Sequence, residues 1–306
     1  MPDQPGPYVE DPRNASLRIS LDGEMVPRER ALVSVFDAGF LLGDGVWEGI
    51  RICRGVPLFL DEHLDRLFEG AAALDLDVGL TREEFARRVH ETIHENRLET
   101  GAHLRLMVTR GLKRVPYQDP ALCEGRATVV IAPQYVNPSD RARREGLKLA
   151  TVHVRRGAPD VQDPKINSHS KLNCVLACIQ AKKVGADEAL MLDPHGFVAT
   201  CNSTHFFVVR RGEVWTSTGK YCLGGITRRH VLELGRANGI PCLEKDFSLT
   251  DVYGADEAFC TGTLAGLLPV REVDGRRPRA GVPGPVTTRL QALYAALVEE
   301  RCARGG

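Results

Sequence analysis

The chain has no surplus of either charge. Lys+Arg and Asp+Glu are both 40 among 306 residues, giving formal net charge 0 and pI ≈ 7.1. Without a basic excess, electrostatic nucleic-acid binding is excluded as its main activity. No apolar run approaches the ~20 residues that span a bilayer, so no membrane role is expected. The opening MPDQPGPYVEDP is polar and Pro-rich rather than a secretory signal. These absences read as a cytoplasmic protein. The nine cysteines form no CxxC pair. Cys174 and Cys178 share an expected helix face, but no further Cys or His completes a zinc site, and reduced thiols are expected. The nine histidines show no metal-ligand spacing either. Internal repeats and low-complexity segments are also missing.

What is present is the composition of a globular protein, with 43% hydrophobic and 26% charged residues. At ~150 residues per domain, this length accommodates two cores. Leu17–Leu21 alternates as a strand before a turn at Asp22-Gly23. From about Leu60 the pattern becomes helical, with Leu64, Leu67, Phe68 and Ala71 on one face. Thr81-x-x-Glu84 reads as a capping box before Phe85, Val89 and Ile93. Leu104–Val108 and Thr128–Ile131 read as strands. The run Asn137–Glu145 holds turn residues and charges but almost nothing apolar, and reads as a solvated loop.

A second strand-rich half starts at Leu147–Val154. A helix follows from about Ser170 to Val184, with Leu172, Val175, Leu176 and Ile179 as its apolar stripe and Gly185 closing it. Beyond it come the strand Ala189–Leu192, a hairpin at Arg211-Gly212, and helices around Val231–Ala237 and Thr288–Glu300. The expectation is a two-domain mixed α/β (α+β) protein, with domains at 1–136 and 147–306 and a linker at 137–146.

Several positions carry possible chemistry. Gly43-Asp44-Gly45 offers backbone that either approaches a ligand or simply turns. Gly224-Gly225-Ile226-Thr227 precedes a helical stretch, where free amides and a hydroxyl suit an anion. Thr261-Gly262-Thr263 is a second such element, and together the two point to a phosphate-bearing ligand. Arg105 and Arg114 lie on or just after one strand, where Arg105 either forks a carboxylate or is solvated. Lys165 and Lys171 flank a polar stretch entering a helix, a position that surface lysines also occupy.

The order of segments resembles the class IV (fold type IV) pyridoxal-phosphate aminotransferases, which include branched-chain, D-amino-acid and (R)-amine transaminases. The resemblance rests on Ser34–Gly39, Gly43–Arg51, His63–Leu67, Thr109–Gly111, Gly185–Asp193, Gly224–Arg228 and Thr261–Val270, and runs from about Leu17 to Tyr294. It implies a small N-terminal α/β domain, a larger C-terminal domain with a barrel-like sheet, and pyridoxal 5'-phosphate between them. By position, Arg66 is similar to the phosphate-binding arginine of that family. Ile226, Thr227 and Thr263 match its phosphate cup. An amino donor, a 2-oxo acid acceptor and a homodimer are implied as well. Trp47 is expected to wall the substrate pocket, and Arg105 or Arg114 to hold a substrate carboxylate.

Two departures stand against that pattern. Aligned without gaps over Asp163–Ala177, the lysine that forms the Schiff base falls on Asn167, and an amide forms no imine. Lys171, four residues later at the helix entrance, is the expected replacement. Lys165, two residues earlier on the same strand face and ~6.6 Å back, is the alternative. The glutamate expected at the pyridine nitrogen is Thr200, so the ring should be a weaker electron sink. His205 stands where asparagine is usual, and His205 or His169 is a further candidate to approach the ring. The leading expectation is an aminotransferase with a relocated lysine. A pyridoxal-phosphate lyase, or a non-catalytic cofactor-binding homologue, is the alternative.

Overall fold

A computed structural model describes residues 11–136 and 140–305, which fall into two compact units. The first holds residues 11–136, Ile166–Lys171 and 300–305. Its strands are β1 (Arg18–Leu21), β2 (Glu24–Pro27), β3 (Gly45–Cys53), β4 (Val56–Pro57), β5 (Ala102–Thr109), β6 (Leu112–Lys113), β7 (Cys123–Glu124) and β8 (Thr128–Tyr135). Its helices are α1 (Ala38–Leu42), α2 (Leu60–Ala73) and α3 (Arg82–Glu95).

Strand alternation decides the faces of the antiparallel sheet ordered β2-β1-β8-β5-β3-β4. Leu104, Leu106 and Val108 of β5 enter the core, while His103, Arg105 and Met107 point the other way. The core side packs on Leu64, Leu67 and Ala71 of α2 and on Phe85, Val89 and Ile93 of α3, the helical stripes expected from their spacing. Thr81 and Glu84 form the expected capping box, with Glu84 N donating to Thr81 Oγ1 at 3.2 Å and Thr81 N to Glu84 Oε2 at 2.8 Å. Arg110 clamps two loops. Its guanidinium spans Asp44 at 2.7 and 3.1 Å and donates to the Leu74 and Asp75 carbonyls at the end of α2.

The second unit holds residues 140–165 and 172–299. Its helices are α4 (Asp140–Glu145), α5 (Pro159–Gln162), α6 (Leu172–Lys183), α7 (Ile226–Ala237), α8 (Leu249–Tyr253) and α9 (Pro285–Arg304), the last ending beyond the unit. Its strands are β9 (Leu147–Thr151), β10 (Glu188–Leu192), β11 (Val198–Cys201), β12 (His205–Arg210), β13 (Glu213–Thr216), β14 (Cys242–Glu244), β15 (Glu257–Gly262) and β16 (Gly266–Val273). They form one mixed sheet in the order β11-β10-β9-β16-β15-β12-β13-β14, with β9 parallel to both neighbours. Leu149, Leu190, Phe206, Val208, Cys260 and Val270 make the core on one of its faces. On the other face Phe207 and Phe259 stack at 4.8 Å.

One expectation changes, and one helix face is placed. The charged run 141–145 is helical, not a solvated loop, because Arg, Ala and Glu are good helix formers. Ala142 of that helix packs on the core and Arg141 pairs with Asp187 at 3.1 Å. The stripe of α6 faces outward: Leu172, Val175, Leu176 and Ile179 are 68, 48, 45 and 46% exposed. Ala177 and Ala181 take the inner face instead, against Ala150, Val152, Ala189 and Met191. Small side chains let helix and sheet approach, and the larger ones are left outside. No helix among the described residues is long and apolar enough to cross a membrane.

Candidate active site

In the first unit, segment 167–169 lies along the first half of β3 as a short antiparallel strand. Ser168 bridges Val46, Trp47 N donates to the Asn167 carbonyl at 2.9 Å, and His169 N donates to the Gly45 carbonyl at 3.0 Å. The close approach needs Gly45. A Cβ there would stand 2.4 Å from the Val108 carbonyl oxygen and 2.7 Å from His169 Cδ2. Gly45 of the Gly-Asp-Gly element therefore admits the protein's own segment. Trp47 Nε1 donates to the Ser168 carbonyl at 3.0 Å, and Asn167 Nδ2 donates to the Trp47 carbonyl at 2.7 Å. Asn167 is thus a buried amide spent on holding the segment in place.

That clamp gathers several predicted residues around one ring. The Arg105 guanidinium carbon lies 3.8 Å and the Lys171 ammonium 5.5 Å from the Trp47 ring centroid. His169 belongs to the same cluster. Burial, reinforced by the positive charges of Arg105 and Lys171 and opposed by Asp37 and a bond to Val46, holds its pKa below the ordinary value. Its Nε2 is buried with no hydrogen-bond partner. Lys165 belongs to the second unit. It is exposed in a turn after α5, its amide bonded to Asp163 Oδ1 at 2.9 Å, and not on the strand face expected of it, because Asp163-Pro164 makes a turn there. Arg114 directly follows β6. It pairs with Glu124 at 3.3 Å across the β6–β7 hairpin, with both side chains more than half exposed.

Arg66 sits on α2 and is held by Glu48, whose carboxylate His63 also meets; sequence reasoning missed both Glu48 and His63. Its Nε and Nη2 each donate to Glu48 at 2.7 Å, and His63 Nδ1 lies 2.7 Å from the same carboxylate. Glu48 is fully buried and His63 almost so. Burial alone would raise the Glu48 pKa, but the bonds from Arg66 and His63 outweigh it and hold it at about 2. Desolvation lowers the pKa of His63 despite that carboxylate. The available signal was register: Glu48 shares the core-facing side of β3 with Val46 and Ile50. A carboxylate there demands a cation, and His63 and Arg66 sit three apart on one helix face.

In the second unit the first turn of α7 is open. Its N-cap is Gly225, no side chain caps it, and it contains no acidic residue. Ile226 and Thr227 are buried there, so the first-turn amides and the helix dipole, worth ~0.5 of a charge, suit an anion. Thr263 lies in the turn between β15 and β16, and Thr261 at the end of β15 has a buried hydroxyl with no partner. Thr200 on β11 is buried, and its hydroxyl donates to the Thr204 carbonyl at 2.8 Å. Its proton is committed, and it presents lone pairs only.

Residues 45–273 match the model of a protein family described as amino-transferase class IV. The chain is 39% identical to the branched-chain-amino-acid aminotransferase-like protein 2 of Arabidopsis thaliana over 96% of its own length, and it spans about half (53%) of that relative. It is 41% identical to a putative branched-chain-amino-acid aminotransferase of Methanocaldococcus jannaschii, over 91% of this chain and 95% of that one. Its fold matches the T.th. branched-chain amino acid aminotransferase solved with pyridoxamine 5'-phosphate, at TM-score 0.87 and 30% identity, over 94% of this chain and 95% of that one. The clamped segment and open helix mouth are thus carried on the mixed α/β fold of these enzymes, and the chain belongs to the class IV aminotransferase family.

Proposed function

We propose that the chain is a pyridoxal-phosphate-dependent aminotransferase that moves an amino group between an amino acid and a 2-oxo acid. The residues present suit this cofactor. An uncapped glycine-led helix N-terminus and the unpartnered Thr261 hydroxyl fit a phosphate monoester, and Lys171 offers an amine. Ile226 and Thr227 would hold the phosphate through α7, with Thr263 as a further donor. When bound, pyridoxal phosphate supplies an aldehyde and an electron-withdrawing ring.

The observation that carries the reading is the clamp of segment 167–169 on β3, which brings Lys171 to Trp47 beside His169. Asn167 fixes the segment, Lys171 Nζ would be the amine that engages the cofactor and carries the proton, and Trp47 stands 5.5 Å from that amine. Arg105, stacked on the same ring, is the candidate for the substrate carboxylate, and Arg114 is a second one. Thr200, with its proton committed to the Thr204 carbonyl, would support a ring nitrogen more weakly than a carboxylate.

Borohydride reduction of the cofactor-loaded protein, followed by peptide mass mapping, tests this assignment. A label on Lys171 is expected. A label on Lys165 would move the site, and cofactor binding without any label would overturn the covalent role. The outward apolar stripe of α6 supports a homodimer, since such patches on soluble proteins mark interfaces. Nine cysteines, all free, fit a reducing compartment such as the cytoplasm.

A further inference from the structure

We propose that His205 is a phosphate-holding residue: its imidazole closes the anion cup at the mouth of α7 and donates from Nε2 to the phosphate. The inference rests on the pyridoxal-phosphate reading above. His205 opens β12 and pairs in register with Thr261 of β15, so both side chains project from the same sheet face, ~5 Å apart at Cβ. On that face the ring lies against the N-cap of α7. A Cβ built on Gly225 would stand 2.3 Å from His205 Nε2 and 2.4 Å from Cδ2. The glycine at the helix mouth therefore makes room for an imidazole.

A second observation at this place is independent of the helix. Thr261 is 1% exposed, and its hydroxyl has no hydrogen-bond partner. Buried hydroxyls are seldom left so, and a ligand oxygen is the simplest partner for one beside an open helix N-terminus. The turn before His205 is rigidly held. Glu188, buried in β10, accepts from Ser203 N and Oγ at 2.8 Å and from Thr204 Oγ1 at 2.9 Å. The Nε2–H tautomer of the neutral ring donates from Nε2 to a phosphate oxygen, and the protonated ring donates from both nitrogens. A residue so anchored, with an edge nitrogen in the mouth of α7, is placed to add a donor that a shorter asparagine would not bring as far.

The test compares pyridoxal 5'-phosphate, pyridoxal and inorganic phosphate as probes of the wild-type protein, His205→Ala and His205→Gln. We expect His205→Ala to weaken pyridoxal 5'-phosphate binding by roughly tenfold, the loss of one hydrogen bond to a charged group. Pyridoxal binding should be unchanged. His205→Gln, which can return an N–H near Nε2, should recover part of the loss. The rise in thermal midpoint given by inorganic phosphate should shrink in His205→Ala. Equal weakening of both pyridoxal forms would show a merely structural role and overturn the proposal, as would unchanged phosphate binding. Phosphate stabilisation that depends on His205 in a protein indifferent to pyridoxal 5'-phosphate would uphold the anion site while rejecting the cofactor reading. Failure of the wild-type protein to respond to either phosphate probe would reject both.

Discussion

At the scale of single residues, the most consequential interaction is the buried Glu48 carboxylate between His63 and Arg66. A carboxyl held at about 2 in the fold, against an ordinary 4.5, contributes stability that is present above pH 4.5 and lost as pH falls toward 2. The shift corresponds to on the order of 3 kcal/mol. His63 acts with the same sign, because burial keeps it neutral in the fold while the unfolded chain gains a proton below about pH 6.5. The folded protein should therefore lose stability steadily on acidification. Glu48→Gln leaves the guanidinium of Arg66 without its carboxylate, which should cost about 3 kcal/mol at neutral pH. The variant should also flatten the acid limb of a denaturation series between pH 5 and 3. A variant as stable as wild type at pH 7, with an unchanged acid limb, would refute this account.

Among the elements, segment 167–169 gives the candidate site its shape, and its docking turns on one amide. Asn167→Ala removes the donor to the Trp47 carbonyl at 2.7 Å and leaves that carbonyl buried, a loss of about 1–3 kcal/mol. The thermal midpoint should fall. The yield of borohydride label on Lys171 should fall further than stability alone explains, because the segment no longer presents the lysine to Trp47. An unchanged yield would mean that Lys171 does not depend on the clamp. Elements whose own pattern decides their packing were legible in the sequence. The capping box at Thr81, the stripes of α2 and α3 and the glycine-led start of α7 all stand as read. Pairings between distant segments were not. Nothing in the periodicity of β3 announces that 167–169 joins it, and the register that buries Glu48 calls for a cation without naming His63 and Arg66. Lys165 was misread because Asp163-Pro164 turns the chain where a strand was assumed. The stripe of α6 lies where it was read, and only its exposure was illegible, because a pattern identifies the apolar face of a helix without saying what covers it.

For the molecule as a whole, that stripe bears on assembly. Leu172, Val175, Leu176 and Ile179 are about half exposed or more along one side of α6, while the inner side is satisfied by alanines. Burying apolar surface contributes about 25 cal/mol per Å², so an uncovered row of four branched side chains favours association. A net charge of 0 offers no general repulsion to oppose it. Val175→Glu together with Ile179→Glu places charge on the stripe without touching the buried Ala177 and Ala181, so each chain should fold as before. Sedimentation velocity should then find the wild type as a dimer at micromolar concentration and the double variant as a folded monomer. A wild type that sediments as a monomer would remove the homodimer from the proposal. A variant that remains dimeric would place the interface elsewhere, because charged side chains buried opposite their own copies would be too costly to retain.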